Sequence, residues 1–210
     1  RRAEAQNSLI DYSFHVSPVE WIENTAAEIE ACMKAGVTSF KVYMAYKKAV
    51  GLEDEALYNV LETVGKLGGM VTVHAEMGDE IDQLRDEFAE KGVLSPIAQP
   101  QTRPNYTEAD AVQKVISMAA SNNCPLYIVH VSTAEAMQNI QKAQATGQKV
   151  WAETCPHYLV LDDSVYVGDF KNTAKYVLSP PLRKKADSEG LWQSIRSVEI
   201  QTVGTDHCPF

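Results

Sequence analysis

The sequence predicts an α/β fold: the central part of a (β/α)8 TIM-like barrel. Three observations lead there. Apolar, β-rich runs alternate with amphipathic helical runs along the chain, the order that gives parallel strands with helices outside. No GxGxxG, and no GxxxxGK followed by Ser or Thr, comes after a strand-like run, which removes the main support for a nucleotide-binding open sheet. Several strand-like runs also end in side chains able to bind metal or move protons, and a barrel gathers such ends on one face.

Taken in order, a short strand is expected at residues 10–14 and a helix over 18–35, with Pro18 suited to the first helical turn and Gly36 ending it. Residues 37–43 read as the next strand. Leu57, Val60, Leu61 and Val64 recur at helical spacing until Gly68 and Gly69 stop that helix. Residues 70–75 form a strand, followed by acidic helical sequence to Lys91. The stretch 92–105 holds three prolines and no period, and reads as a loop. Thr107 is the expected N-cap of a helix to about Ser121. A strand over 125–131 follows, then a helix capped by Ser132 or Thr133 that ends near Gly147, then a strand over 149–154. Residues 176–178 and 202–205 complete the expected strands, with a helix over 188–197 between them.

With 45% hydrophobic and 22% charged residues, the chain can form a full core and shows no mark of disorder or repeats. It opens on Arg1 and Arg2 rather than Met and stops at Phe210 directly after a motif-like stretch. Residues 1–210 are therefore expected to be an internal piece of one barrel domain, with the first strands and the C-terminal part outside the chain; a whole barrel takes about 250 residues. No apolar run reaches the roughly 20 residues of a membrane helix, and no signal peptide is visible. A net charge of −9 argues against nucleic acid as a partner. Lys47-Lys48 and Arg183-Lys184-Lys185 read as solvated loops, with Arg183 able to touch a neighbouring element. Cys32, Cys124, Cys155 and Cys208 are dispersed without a CxxC, which fits free thiols in a reducing compartment, the cytoplasm by default.

Four residues near the ends of strand-like runs carry the chemistry: Lys41 in TSFKVYMAYK, His74 in GMVTVHAE, His130 in PLYIVHVS and Asp206 in TVGTDHCPF. Alternation along a strand sets Lys41 with Ser39 and Tyr43, away from Phe40 and Val42, and His74 with Thr72. Asp206 and His207 must point apart; Asp206 is the better candidate, because a carboxylate both binds metal and moves a proton. Singly, each has a plain structural reading too. Strand histidines are commonly hydrogen-bonded core residues, an aspartate before His-Cys-Pro is commonly a turn or cap, and a strand lysine commonly snorkels to solvent. Spacing alone leaves both readings open.

The motifs TSFKVYMAYK, VTVHAE, YIVHVS, ETCPHYL, LSPPLR and GTDHCPF, in this order, resemble those of the cyclic amidohydrolases called dihydropyrimidinases and D-hydantoinases, over essentially the whole chain. The resemblance implies a (β/α)8 barrel with two divalent metal ions, zinc as the usual pair. It also implies hydrolysis of dihydropyrimidines or hydantoins, small cyclic ureides, to N-carbamoyl amino acids. By resemblance Lys41 is the lysine carboxylated by carbon dioxide that bridges both metals, His74 and His130 bind one metal, and Asp206 binds the other and shuttles a proton. Tyr46 corresponds to the tyrosine that holds the substrate carbonyl, and Ser179 to a residue that meets the ring through its backbone. A homotetramer is implied as well. The family's HxH metal-binding pair is absent: none of His15, His74, His130, His157 or His207 forms one, and the family's later substrate-binding asparagine would fall beyond Phe210. Cys155 and His157, expected on one strand face, and His15 are read as structural or supporting, and Cys208 as packing. Allantoinases and dihydroorotases share the lysine, histidine and aspartate framework, and the collapsin-response mediator proteins keep the fold without catalysis. Tyr46 in MAYK favours the first branch, and the retained ligand set disfavours a scaffold.

Overall fold

The structure is a computed structural model and describes residues 2–208. Its strands are β1 (His15–Val16), β2 (Ser39–Tyr43), β3 (Met70–His74), β4 (Leu126–Ile128), β5 (Val150–Thr154) and β6 (Thr202–Val203). They form one sheet in which each strand pairs in parallel with the next in chain order. The longer helices are α1 (Thr25–Lys34), α2 (Asp54–Lys66), α3 (Gly78–Glu90), α4 (Asn105–Ser121), α5 (Ala134–Ala145) and α6 (Lys185–Arg196). A doubly wound sheet reverses its strand order at a switch point, whereas this order runs straight from β1 to β6, as in the wall of a barrel.

The period-2 pattern of the strands separates core from site. On β2, Phe40 and Val42 are buried, while Ser39, Lys41 and Tyr43 on the opposite face are only partly covered. Val71, Val73, Leu126, Ile128 and Ala152 join Phe40 and Val42 in the core. The helices close that core with Leu57, Val60, Leu61 and Val64 of α2, Val112, Val115 and Ile116 of α4, Met137 and Ile140 of α5, and Leu191 of α6. Each fully buried side chain of this size contributes about 1.5–3 kcal/mol, so the helix-facing half of the sheet supplies the stability. The other half is left to position polar groups.

Several expectations are corrected. Residues 10–14 form no strand; Ile10 and Tyr12 are exposed, and the first pairing is His15 with Ser39 and Val16 with Phe40. The first long helix begins at Thr25, so Pro18 lies in irregular chain rather than in a helical turn. Helix α4 begins at Asn105 after Pro104, and Thr107, its third residue, turns its hydroxyl back to the Pro104 carbonyl at 2.8 Å. Within 92–105 the chain makes a short helix, Ala98–Gln101. The expected strand at 176–178 is replaced by a 3-10 turn, Ala174–Tyr176, and irregular backbone. Thr133 is the cap of α5, accepting a hydrogen bond from the Ala136 amide at 3.1 Å. Arg183 is buried, in contrast to exposed Lys184 and Lys185, because it follows the buried run Pro180, Pro181, Leu182 into the interior.

Candidate active site

Lys41 lies on β2, two pairing positions before Tyr43, whose register partner is His74 at the end of β3. Its Nζ is 5.2 Å from the centre of the Tyr43 ring. Burial pulls the Lys41 pKa down to about 8, while the negative charges of Asp206 and Glu153 act to raise it. A lysine so placed holds a sizeable neutral fraction near pH 8, the form with a lone pair.

His74 and His130 are both nearly inaccessible to water. Nδ1 of His74 lies 2.9 Å from Nε2 of His130, and Nε2 of His74 lies 2.8 Å from Oε2 of Glu76. Burial pushes the Glu76 carboxyl up, but its hydrogen bond to His74 and the charges of His74, Arg103 and Arg183 outweigh this and hold it below the ordinary range. An ionised Glu76 only accepts, so His74 carries a proton on Nε2, while its Nδ1 faces His130. His130 follows β4 by two residues in a left-handed conformation, φ 42°, which turns its ring toward β3. Burial, then the neighbouring His74 and Lys41, drives its pKa well below the usual histidine value, which keeps it a neutral donor atom. Its Nδ1 is buried without a hydrogen bond.

This pair fits a divalent cation. Two buried imidazoles bring ring nitrogens face to face, one braced from behind by a carboxylate, the arrangement common behind metal-bound histidines. Tetrahedral ligands at about 2.0–2.1 Å from zinc stand about 3.3 Å apart, so the rings need to open by only a few tenths of an ångström. Among the described residues no three of His, Cys, Asp and Glu lie close enough to hold a metal by themselves. A closed centre therefore needs Lys41 as a ligand or residues beyond this pair.

Tyr46 stands in the loop after β2, its ring 5.3 Å from that of His74. It adopts a left-handed backbone, φ 62°. The amides of Ala49, Val50 and Gly51 all donate to its carbonyl at 2.9–3.0 Å. A Cβ on Gly51 would sit 2.3 Å from the Ala45 carbonyl oxygen, so this turn closes only on glycine. Asp206 lies three residues past β6, exposed, with φ 49°. It is near enough to act on the charge of Lys41, but it touches neither histidine. Ser179 is partly buried; Gln99 Nε2 donates to its hydroxyl at 3.1 Å and to the Leu178 carbonyl at 2.6 Å. The structure thus gathers Lys41, Tyr46, His74 and His130, leaves Asp206 at the rim, and sets Ser179 in a separate wall.

Cys155 and His157 do not share a strand face. β5 ends at Thr154, Cys155 precedes the short helix Pro156–Val160, and His157 on that helix stacks on Tyr158 with ring centres 4.2 Å apart. His15 hydrogen-bonds Ser39 Oγ at 2.7 Å, and Cys208 is exposed rather than packed. The sequence reading missed Glu76, Arg103 and Glu108. The spacing of Glu76, two residues beyond His74, was the available signal. A surface cleft of about 510 Å³, lined by Phe88, Leu94, Gln99, Phe170 and Val177 among others, includes none of the six candidate residues.

No family model matches the chain. The D-hydantoinase of Geobacillus stearothermophilus is 41% identical over 204 residues, 97% of this chain and 43% of that protein. The dihydropyrimidinase of Arabidopsis thaliana is 36% identical over 209 residues, 99% of this chain and 39% of that protein. The chain belongs to the D-hydantoinase and dihydropyrimidinase family. The solved structure of the D-hydantoinase from Bacillus sp. AR9 superposes on it with a TM-score of 0.93 at 42% identity, covering 97% of this chain and 45% of that one. The chain thus spans under half the length of these family members, and its six strands are part of the family's barrel.

Proposed function

We propose that the whole protein is a metal-dependent cyclic amidohydrolase that opens dihydropyrimidine or hydantoin rings to N-carbamoyl amino acids. The observation that carries this reading is the buried pair of facing imidazoles, His74 Nδ1 to His130 Nε2 at 2.9 Å, braced by Glu76. The names of the relatives point the same way.

In this reading His74 and His130 hold one divalent cation. Lys41, whose neutral amine would add to carbon dioxide with loss of a proton, would supply a carbamate as a further ligand, and Asp206 would help to hold a second cation. Imidazole and carboxylate donors suit zinc. Bound there, two such ions supply Lewis acidity and a water acidic enough to ionise near neutral pH. The remaining work falls to side chains. Water adds across the ring amide C–N bond; Asp206 takes a proton from the attacking water and returns it to the departing ring nitrogen. Tyr46 donates its hydroxyl to the carbonyl oxygen as charge builds there, an effect of about 3 kcal/mol for a good donor. The backbone at Ser179 holds the ring. Four unpaired cysteines accord with a cytoplasmic enzyme, and the family resemblance supports a homotetramer.

The test is a side-by-side assay of the full-length protein on dihydrouracil, hydantoin, allantoin and dihydroorotate, with zinc counted per subunit. Turnover of the first two with about two zinc bound is the expected result. Preference for allantoin or dihydroorotate would move the protein to those branches, and no zinc with no turnover would make it a scaffold.

A further inference from the structure

Two arms of buried polar groups run from the imidazole pair to the segment that carries Ser179. In the first, Glu76 receives His74 Nε2 on Oε2, and its Oε1 lies 3.8 Å from Arg103 Nε. Arg103 Nη1 donates to Gln99 Oε1 at 3.2 Å, and Gln99 Nε2 donates to the Leu178 carbonyl and the Ser179 hydroxyl. In the second arm, Arg183, four residues past Ser179, donates from Nη1 to the Arg103 carbonyl and from Nε to Ser132 Oγ at 2.9 Å. Ser132, two residues past His130, donates its amide and its hydroxyl to Glu108, each at 2.9 Å. Glu76, Arg103, Glu108 and Arg183 are each at most 5% exposed.

Burying two arginines and two glutamates is costly, and apolar residues of equal volume would often stabilise a core better. Glu76 Oε1 and Arg103 Nε face each other just outside hydrogen-bonding reach, neither with another partner. A network built only for stability has no reason to end on a histidine at one end and on the Leu178 carbonyl at the other.

We propose that Glu76, Arg103 and Gln99 form a positioning relay that links His74 to the backbone at Leu178 and Ser179, so that one network sets both the metal-holding side and the ring-holding side of the pocket. The proposal rests on the reading of His74 as a metal ligand and of Ser179 as a ring contact. The relay touches neither metal nor substrate; it acts through those residues.

The test measures zinc affinity, by competition with a chromophoric chelator, and KM and kcat for hydantoin on the full-length protein, with thermal melts to confirm folding. Glu76→Gln keeps the shape and should weaken zinc binding about tenfold or more, the usual cost of losing the carboxylate behind a metal-bound histidine. Gln99→Leu should weaken zinc several-fold although it touches no imidazole, and should raise KM by a larger factor than it lowers kcat. The double variant should hold zinc no worse than Glu76→Gln alone. Gln99→Glu, which keeps an acceptor for Arg103 but loses the donor to Leu178, should raise KM and leave zinc affinity in place; it serves if Gln99→Leu does not fold. Parent-like zinc affinity in Gln99→Leu, or losses that multiply in the double variant, would overturn the relay while leaving the metal reading intact. A parent protein that binds no zinc would overturn the metal reading and the relay with it.

Discussion

His74 and His130, 56 positions apart in sequence, meet Nδ1 to Nε2 at 2.9 Å. The contact exists because β3 and β4 are parallel neighbours, so their C-terminal ends lie side by side. Burial keeps His130 neutral, and the carboxylate of Glu76 anchors His74 through Nε2. Two ring nitrogens from neighbouring strands are thereby held face to face.

Lys41→Ala in the full-length protein is expected to abolish turnover and most bound zinc, because the proposed centre relies on the Lys41 carbamate as a ligand. Added short carboxylic acids should restore part of both. Wild-type metal content and rate in the variant would remove Lys41 from the centre.

The pH dependence of the lysine modification follows from its surroundings. Burial holds the Lys41 pKa at about 8, and only the unprotonated amine adds to carbon dioxide. Carbon-13 NMR of metal-free protein in labelled bicarbonate should show a carbamate signal that is weak well below pH 8 and grows as pH rises through it. A signal that keeps its intensity at low pH, or one that survives Lys41→Ala, would place the modification elsewhere.

Asp206→Asn should cost catalysis and almost nothing in stability. The residue is exposed, and asparagine tolerates a φ of 49° as well as aspartate does, so the melting curve should shift by no more than about 0.5 kcal/mol equivalent. Loss of proton transfer should lower kcat by at least about a hundredfold. A rate within threefold of the parent would assign the proton to another group.

Tyr46→Phe deletes one donor and keeps the ring. If the hydroxyl meets the charge that develops on the carbonyl oxygen, kcat and kcat/KM should fall together by about a hundredfold while KM holds. A rise in KM alone would mean that it binds substrate and transition state equally.

Leu61→Ala probes the opposite face of the sheet. Leu61 is fully buried on α2 against the strands. Chemical denaturation should report a loss of about 2–5 kcal/mol. Zinc content of the folded fraction should not change, since the truncation lies on the helix side.

Strand alternation made much of this arrangement legible. The pattern around Phe40, Lys41 and Val42 identifies which side chains leave the core, and the run MVTVH points His74 to the strand end. It could not show that 10–14 lacks a strand partner, since Tyr12 and Phe14 suit a strand intrinsically and only the register of His15 with Ser39 decides where pairing begins. Nor could it find the buried charges. Arg183 sits in a basic run that locally looks solvated, and Arg103 in a proline-broken stretch with no period; both are interior, each 3.8 Å from a carboxylate distant in sequence. The exposed position of Asp206 was not legible, because β6 ends three residues earlier.

Three amides converge on the Tyr46 carbonyl, and the fit of Gly51 against Ala45 locks the turn that supplies them. The peptide at this position is therefore a fixed pivot, and the phenol has only its own two torsions with which to follow a guest. If Tyr46 meets the substrate as proposed, rings of different bulk would have to be accommodated by other residues, and loosening this turn should cost rate on every substrate alike.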